Sequence, residues 1–405
     1  MNVLFLTMVN IKSVHSGGIY EDLLREFIKN GHLIYIAAPT EKCFGENTQV
    51  IKEENCEILR IRTGNLQKTS FIKKGIATLK ISPQFKKSIK KHFKNIKFDL
   101  ILYSTPPITL YGVIKYLKKR DNARTFLLLK DIFPQNAVDI GILKKSGLKG
   151  IIYSYFRKKE KKLYTISNKI GCMSQANVGY IAKHNPEIDQ SKLTIVPNSI
   201  EPIDVSLTEK EKTQMREKYG IPQDRIVFVY GGNLGKPQGI PFIIDCLRSQ
   251  ANNEKTFFLI VGDGTEYELL ENYVSTDKPR NVKLLNRLPR EDFDRMLAAC
   301  DAGMVFLDHR FTIPNYPSRV LSYMQAGLPV LACTDPNTDV GNDIISGGFG
   351  WQCESDNVEQ FDSAIKQCIN SDLREMSKRA VLYLRNNFTV KDGYKKIMNN
   401  IGASE

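Results

Sequence analysis

The chain has 405 residues, 42% apolar and 25% charged, with a formal net charge of +14. That length is generous for one core and comfortable for two α/β domains, and the composition is that of an ordinary globular protein. No apolar run approaches the ~20 residues of a membrane-spanning helix, and the eight cysteines include no C-x-x-C pair, which argues for reduced thiols in a cytoplasm against a metal cluster or disulfide framework.

The opening MNVLFLTMVN has no basic residue before its short apolar run, so it reads as a first strand over Val3–Leu6 rather than a leader. Gly17-Gly18 follows, then an amphipathic helix carrying Tyr20, Leu23, Leu24, Phe27 and Ile28. Gly31-His32 ends it and Leu33–Ala38 is the next strand, completing a βαβ unit. Leu100–Tyr103, Thr125–Leu129, Lys169–Ser174 and Leu193–Val196 continue as buried strands. The pattern then starts again. Ile226–Tyr230 is a strand, GGNLGKPQG (231–239) a glycine loop, and a helix begins near Ile240. Thr256–Val261, Val282–Leu285, Ala302–Phe306 and Val330–Cys333 are further strands, and the segment from about Leu384 to Ile401 is helical. Two halves that each begin strand–glycine loop–helix predict two Rossmann-like domains, with ligands at the carboxyl ends of the strands and in a cleft between them.

Several loops have the chemistry of a site. The glycines of 231–239, between a strand and a helix, form an anion cradle to which Lys236 adds a point charge. Pro237 stands where a P-loop needs Ser or Thr, so this is not one. Pro314–Ala332, PNYPSRVLSYMQAGLPVLA, reads loop, helix start, helix stop, strand, with Ser318 and Arg319 in the first helical turn. The Arg319 fork suits two phosphate oxygens. Gly17-Gly18 admits either a close backbone approach to a diphosphate or an ordinary strand–helix turn. Asp131, at the end of a strand, is either a base or acceptor-binding carboxylate, or a turn residue. The D-x-D triplet Asp292-Phe293-Asp294 lies in a helical pattern, where i and i+2 point apart, so no metal is implied.

These motifs together resemble the GT4-type retaining glycosyltransferases. The resemblance runs through Gly17-Gly18, Gly31-His32, Asp131–Pro134, Val196-Pro197-Asn198, the Gly232–Gly239 loop, Val261–Gly264 and the Pro317–Pro329 string. The loop form resembles the capsule and O-antigen branch, including L-fucosamine transferase-like members. The resemblance implies a GT-B fold: residues 1–200 for the acceptor, 201–384 for a nucleotide sugar, and 385–405 as a helix returning to the first domain. It implies a sugar passing with retention, without metal or cofactor, from a nucleotide diphosphate such as UDP to a polyprenyl-diphosphate-linked glycan. Lys236, Arg319 and Asp131 would be the catalytic groups. Gly17, Gly18, Gly232, Asn233, Arg287, Leu288, Asn315, Tyr316, Ser318 and Ser322 would contact substrate, Arg287 and Leu288 at the base. In the family a glutamate holds the ribose hydroxyls where this chain has Ser322, and a serine makes one such bond where a carboxylate accepts both. A non-catalytic GT-B subunit is therefore a second reading. A GT-B sugar-nucleotide epimerase is a third, for which the second half offers only His309.

Charge supplies a separate signal. Residues 1–200 hold 34 basic against 15 acidic side chains, +19, and the remainder 24 against 29, −5. Ten lysines and no acid lie between Lys68 and Lys97, with Phe85, Ile89, Phe93 and Ile96 on one helical stripe. Leu148–Leu163 repeats the theme, with Ile151, Ile152, Tyr155 and Phe156 beside Arg157, Lys158, Lys159, Lys161 and Lys162. Each stripe is either core with solvated lysines or a face for an anionic membrane, which would make the protein cytoplasmic and peripheral at the inner face. Basic patches interleaved with stacking aromatics are not evident, so nucleic acid is not an expected partner.

Overall fold

The computed structural model describes residues 1–65 and 71–402. It divides into two compact units, Met1–Glu201 with the C-terminal segment from Thr389, and Pro202–Phe388. The divisions fall at 201/202 and 388/389 where 200/201 and 384/385 were expected.

Unit 1 is built on a sheet of eight strands: β1 (Asn2–Leu6), β2 (Leu33–Glu41), β3 (Gln49–Glu53), β4 (Cys56–Thr63), β5 (Leu100–Thr105), β6 (Arg124–Leu129), β7 (Lys169–Cys172) and β8 (Leu193–Ile195). Their order is β3-β4-β2-β1-β5-β6-β7-β8. Only β3, antiparallel to β4, departs from the parallel arrangement. Val3, Leu4, Phe5 and Leu6 of β1 are all buried, as continuous apolar strands covered on both faces must be. The direction of winding reverses between β1 and β5, and such a reversal is where open α/β sheets bind ligands.

Unit 2 has six parallel strands: β9 (Ile226–Asn233), β10 (Thr256–Asp263), β11 (Val282–Leu285), β12 (Ala302–Phe306), β13 (Val330–Thr334) and β14 (Gly350–Glu354). The order β11-β10-β9-β12-β13-β14 reverses between β9 and β12. Phe228, Tyr230, Ile260, Met304, Phe306 and Leu331 form the middle of its core. Both units are thus Rossmann-like, as the repeated strand–loop–helix pattern predicts.

The expected single C-terminal helix is two. The Leu373–Asn387 helix belongs to unit 2. Thr389 then takes an extended backbone, and its side chain accepts from the Asp392 amide to start Val390–Asn400. This last helix lies in unit 1. Its Tyr394 ring meets Phe27 edge-on at 4.8 Å, its hydroxyl is 2.9 Å from His32 Nε2, and Ile397 joins the unit 1 core.

The two basic stripes part company. Phe85, Ile89 and Phe93 are fully buried, so the first stripe is core with solvated lysines. Lys68, and the side chains of Lys73 and Lys74, lie outside the described residues. In the Gly147–Ile166 helix, Ile152 and Phe156 turn partly inward while Ile151 and Tyr155 are exposed.

Candidate functional site

In unit 2 the reversal point gathers the strongest chemistry. Strand β9 ends at Tyr230–Asn233 and runs through a short turn, Lys236–Gln238, into the Ile240–Ser249 helix. Gly232 has φ +130, a conformation open chiefly to glycine, and a Cβ there would sit 3.3 Å from Arg319 Nη2. The guanidinium therefore lies directly against the end of β9. Its Cζ stands 4.3 Å from the centre of the Tyr230 ring. Its Nη1 is buried and has no hydrogen-bond partner among the described residues. Buried charged donors are rarely left unmatched unless something outside the chain completes them.

Packing and hydrogen bonds hold this arrangement. The Tyr323 hydroxyl accepts from the Gly231 amide and donates to the Met304 carbonyl, both at 3.1 Å, tying the Arg319–Gln325 helix to β9 and β12. Gln238 is buried, and its Oε1 accepts from Asn233 Nδ2 at 2.7 Å and from the Gly235 amide at 3.3 Å. Asn233, expected on substrate, braces its own loop. Lys236 is exposed at the turn. The first turn of the Ile240–Ser249 helix contains no acid. Asp308, just past β12, is buried but bonded by Arg310 at 2.8 and 2.7 Å. Burial pushes that carboxyl up, yet the Arg310 bonds prevail and hold it below the usual carboxylate range. Asp308 is thus already matched, and the other acid at this strand end, Asp263 in register with Asn233, is exposed to solvent.

The other unit 2 candidates divide. Ser318 is exposed and its side chain does not cap the helix. That helix has only seven residues, so the Arg319 side chain, not a helix dipole, is what the segment brings to an anion. Ser322 lies one turn beyond Arg319 and is half-buried. Tyr316 is buried and donates its hydroxyl to Asp343 Oδ2 at 2.7 Å; burial, then the Asp343 charge, push its phenol far above the ordinary range. Asn315 is bonded through its amide to Thr338 and through Nδ2 to Ile313. Both residues shape the loop before Arg319. Arg287 and Leu288 follow β11, exposed and half-buried respectively. Asp292 and Asp294 pair with Lys218 and Arg290, so the triplet's carboxylates do not converge.

Unit 1 corrects one expectation. Gly18 has φ 168, extended backbone that any residue adopts, and a Cβ there would run into the Glu21 carboxylate. The Ile19–Lys29 helix opens with Glu21 and Asp22, both buried. Asp22 also accepts from the Glu201 amide at 3.2 Å. The helix start expected to receive a diphosphate at Gly17-Gly18 already holds the protein's own carboxylates in its first turn, Asp22 among them paired with Arg25, so its dipole is matched from within the chain.

Asp131 does fall just past β6, half-buried, where desolvation pushes it up to about 6. Desolvation also pulls its neighbour Lys130 down to about 7. Lys130, Tyr20 and Asn198 line a small cavity at the carboxyl ends of β6 and β8, and Asn198 Oδ1 is buried without a partner among the described residues. Lys130, Tyr20 and Asn198 were missed as site residues. Asn198 stood in the Val196-Pro197-Asn198 string of the resemblance, while Lys130 and Tyr20 offered position alone, at the loop end of a strand and the start of a helix.

Residues 211–386, nearly all of unit 2, match the family described as "Glycosyl transferases group 1". The chain is 25% identical over 324 residues to "Probable glycosyltransferase WbjE" of Pseudomonas aeruginosa, covering 80% of this chain and 78% of that protein. It is 22% identical over 298 residues to "Putative colanic acid biosynthesis glycosyl transferase WcaI" of Escherichia coli (strain K12), covering 70% and 71%. Among solved structures, Anabaena Alr3699/HepE in complex with UDP superposes with a TM-score of 0.70 at 15% identity over 100% of both chains. That last likeness shows a shared fold.

Proposed function

We propose that this chain, a group 1 glycosyltransferase with relatives in bacterial polysaccharide biosynthesis, moves a sugar from a UDP-linked donor to a lipid-linked glycan. The observation that carries this reading is Arg319, whose buried, unmatched Nη1 faces the end of β9 beside Gly232. A diphosphate supplies the acceptor oxygens that guanidinium lacks. Charge grows on the diphosphate as the anomeric C–O bond breaks, so preorganised cations there lower the barrier. Arg319 is assigned the bidentate contact and Lys236 a second, mobile charge. Ser322 takes one ribose hydroxyl, and Arg287-Leu288 the base.

On unit 1, Asp131 is assigned to the acceptor. A carboxyl raised to about 6 is suited to receive a hydroxyl proton near neutral pH. Retention at the anomeric carbon, and an N-acetylated or deoxy hexose as the donor sugar, follow the resemblance of the Gly232–Gly239 loop to the capsule and O-antigen branch. The reaction is taken to need no metal: the D-x-D carboxylates are already paired with Lys218 and Arg290. A lipid-linked acceptor places the enzyme at the inner membrane surface. Ser322 in place of the family's glutamate favours one other reading, a non-catalytic subunit.

Titration calorimetry of the protein with UDP, GDP and UDP-N-acetylhexosamines in metal-free buffer tests the proposal. Micromolar binding of UDP supports it. Absence of binding to every nucleotide overturns it in favour of the non-catalytic subunit.

A further inference from the structure

The Gly147–Ile166 helix of unit 1 carries a face that no described residue of its own unit covers. Leu148 is 84% exposed, Ile151 68% and Tyr155 41%, and Ile142 in the preceding loop is 45% exposed. At helical spacing Leu148, Ile151, Tyr155, Lys158, Lys159 and Lys162 fall on one face roughly 100° wide. Gly150, Glu160, Leu163 and Tyr164, on the other side, are buried. Single exposed apolar residues mean little, but a helically spaced group does.

The charge around this face has one sign. Lys144, Lys145 and Lys149 flank Leu148 and are all exposed. The single acid between residues 140 and 166 is Glu160, which is buried and bonded by Arg157 and Tyr164. No exposed carboxylate of this segment opposes the lysines. The same chain supplies a contrast, since the lysine-rich Phe71–His92 helix buries Phe85 and Ile89 completely. Lysines alone therefore do not mark the surface; lysines around solvent-facing leucine and isoleucine do.

We infer that this face is a wedge that seats in the headgroup region of an anionic lipid bilayer. Ile142, Leu148, Ile151 and Tyr155 enter the boundary between headgroups and acyl chains, and the surrounding lysines pair with lipid phosphates. The inference rests on the lipid-linked acceptor of the proposed function and names the surface by which the enzyme reaches it.

Co-sedimentation of the full chain with vesicles tests it. The protein should pellet with phosphatidylglycerol-rich vesicles and stay in solution with pure phosphatidylcholine. L148S/I151S should lower partitioning at least about tenfold, and K144Q/K145Q/K149Q by about fivefold per lysine at low salt. Thermal melting and UDP affinity of both variants should match the parent, because every altered side chain is exposed and none belongs to the donor site. A parent that does not pellet overturns the inference. So does pelleting that salt abolishes and L148S/I151S leaves unchanged, which is adsorption without insertion. UDP titration of the same samples separates the two readings: UDP binding without vesicle binding defeats the wedge alone, and vesicle binding without UDP binding defeats the donor assignment alone.

Discussion

Replacing Arg319 by methionine should separate folding from binding. The Nη1 of this guanidinium is buried without a partner, and its Cζ lies 4.3 Å from the Tyr230 ring centre. An unsatisfied buried donor costs about 1–3 kcal/mol. The cation–π contact returns about 0.5–2 kcal/mol. Methionine removes both and keeps an apolar stem of similar length over the ring. The net change for Arg319→Met should then run from about 1 kcal/mol against the folded state to about 2.5 kcal/mol in its favour. For a unit of this size each kcal/mol moves Tm by about 2–4 °C, so calorimetry should show a melting point between a few degrees below and about 10 °C above the parent's. Binding should fall. Losing two charge-assisted bonds to a diphosphate, each about 1.5–3 kcal/mol, lowers UDP affinity on the order of a hundredfold to ten-thousandfold. Arg319→Ala should lose as much affinity but also some stability, because it surrenders the packing of the stem. A methionine variant that melts several degrees lower and binds UDP like the parent would make Arg319 a structural residue and refute the reasoning from its unmatched nitrogen.

Other perturbations test the surrounding assignments. Ser322→Glu should tighten UDP binding by about tenfold or more by adding a charge-assisted bond to the ribose; unchanged affinity in calorimetry would show that the ribose does not lie there. Tyr316→Phe deletes a buried bond to Asp343 and should cost about 1–3 kcal/mol in denaturant titration while leaving UDP affinity intact; the reverse pattern would make Tyr316 a substrate contact. Asp131→Asn should stabilise the fold in a pH-dependent way. Desolvation raises this carboxyl from 3.8 to about 6, so between those values the folded state holds the proton more tightly than the unfolded chain. Stability therefore falls as pH rises through that window, and the cost is complete above it. The gain in Tm from Asp131→Asn should be full near neutrality and vanish near about pH 4. A gain independent of pH would show that the carboxyl is not desolvated in the fold.

The parts of the fold that were legible are those where burial is complete. Strands β1, β5, β9 and β10 stand out as apolar runs because both faces are covered. The β3–β4 hairpin was missed because Arg60 interrupts its pattern. That arginine is buried, and its Nη2 is held by Glu46, Asn10 and Thr40, partners brought in from separate segments, while its Nε has no partner among the described residues. Strand β14, Gly350–Glu354, was missed for a similar reason: Gln352 and Glu354 dilute its apolar character. At the site, the string around Arg319 singled out a cation that the fold sets against the end of β9. What it could not show was that the nitrogen is enclosed without a partner, since that depends on Tyr230, 89 positions away in sequence (319 against 230). Nor could it show that Tyr316 spends its hydroxyl on Asp343. The misplaced anion site at Gly17-Gly18 is different in kind, because Glu21 and Asp22 were there to be read and a helix that opens with two acids already has its counter-charge.

That contrast bears on how work is divided along the chain. Both sheets reverse their winding at the first strand of the unit, β1 in one and β9 in the other, so topology alone offers two equivalent ligand positions. Electrostatics makes them unequal. At β9 the helix that follows carries no acid in its first turn, Arg319 Nη1 has no hydrogen-bond partner among the described residues, and Lys236 is exposed. At β1 the helix begins with two buried carboxylates, and beyond neighbouring β5 the loop after β6 holds Lys130 pulled towards neutrality and Asp131 pushed towards protonation. A diphosphate gains from the first setting, whereas the helix start of the second is already matched by Glu21 and by Asp22, itself paired with Arg25. An uncharged, hydroxyl-rich sugar suits the second, where a carboxyl and an unmatched Asn198 oxygen can exchange hydrogen bonds with it. If a glycan's hydroxyl end is read there, the charged end of a lipid-linked acceptor needs cations elsewhere in unit 1, and the exposed lysines around Leu148 are the cations that the proposed membrane face offers.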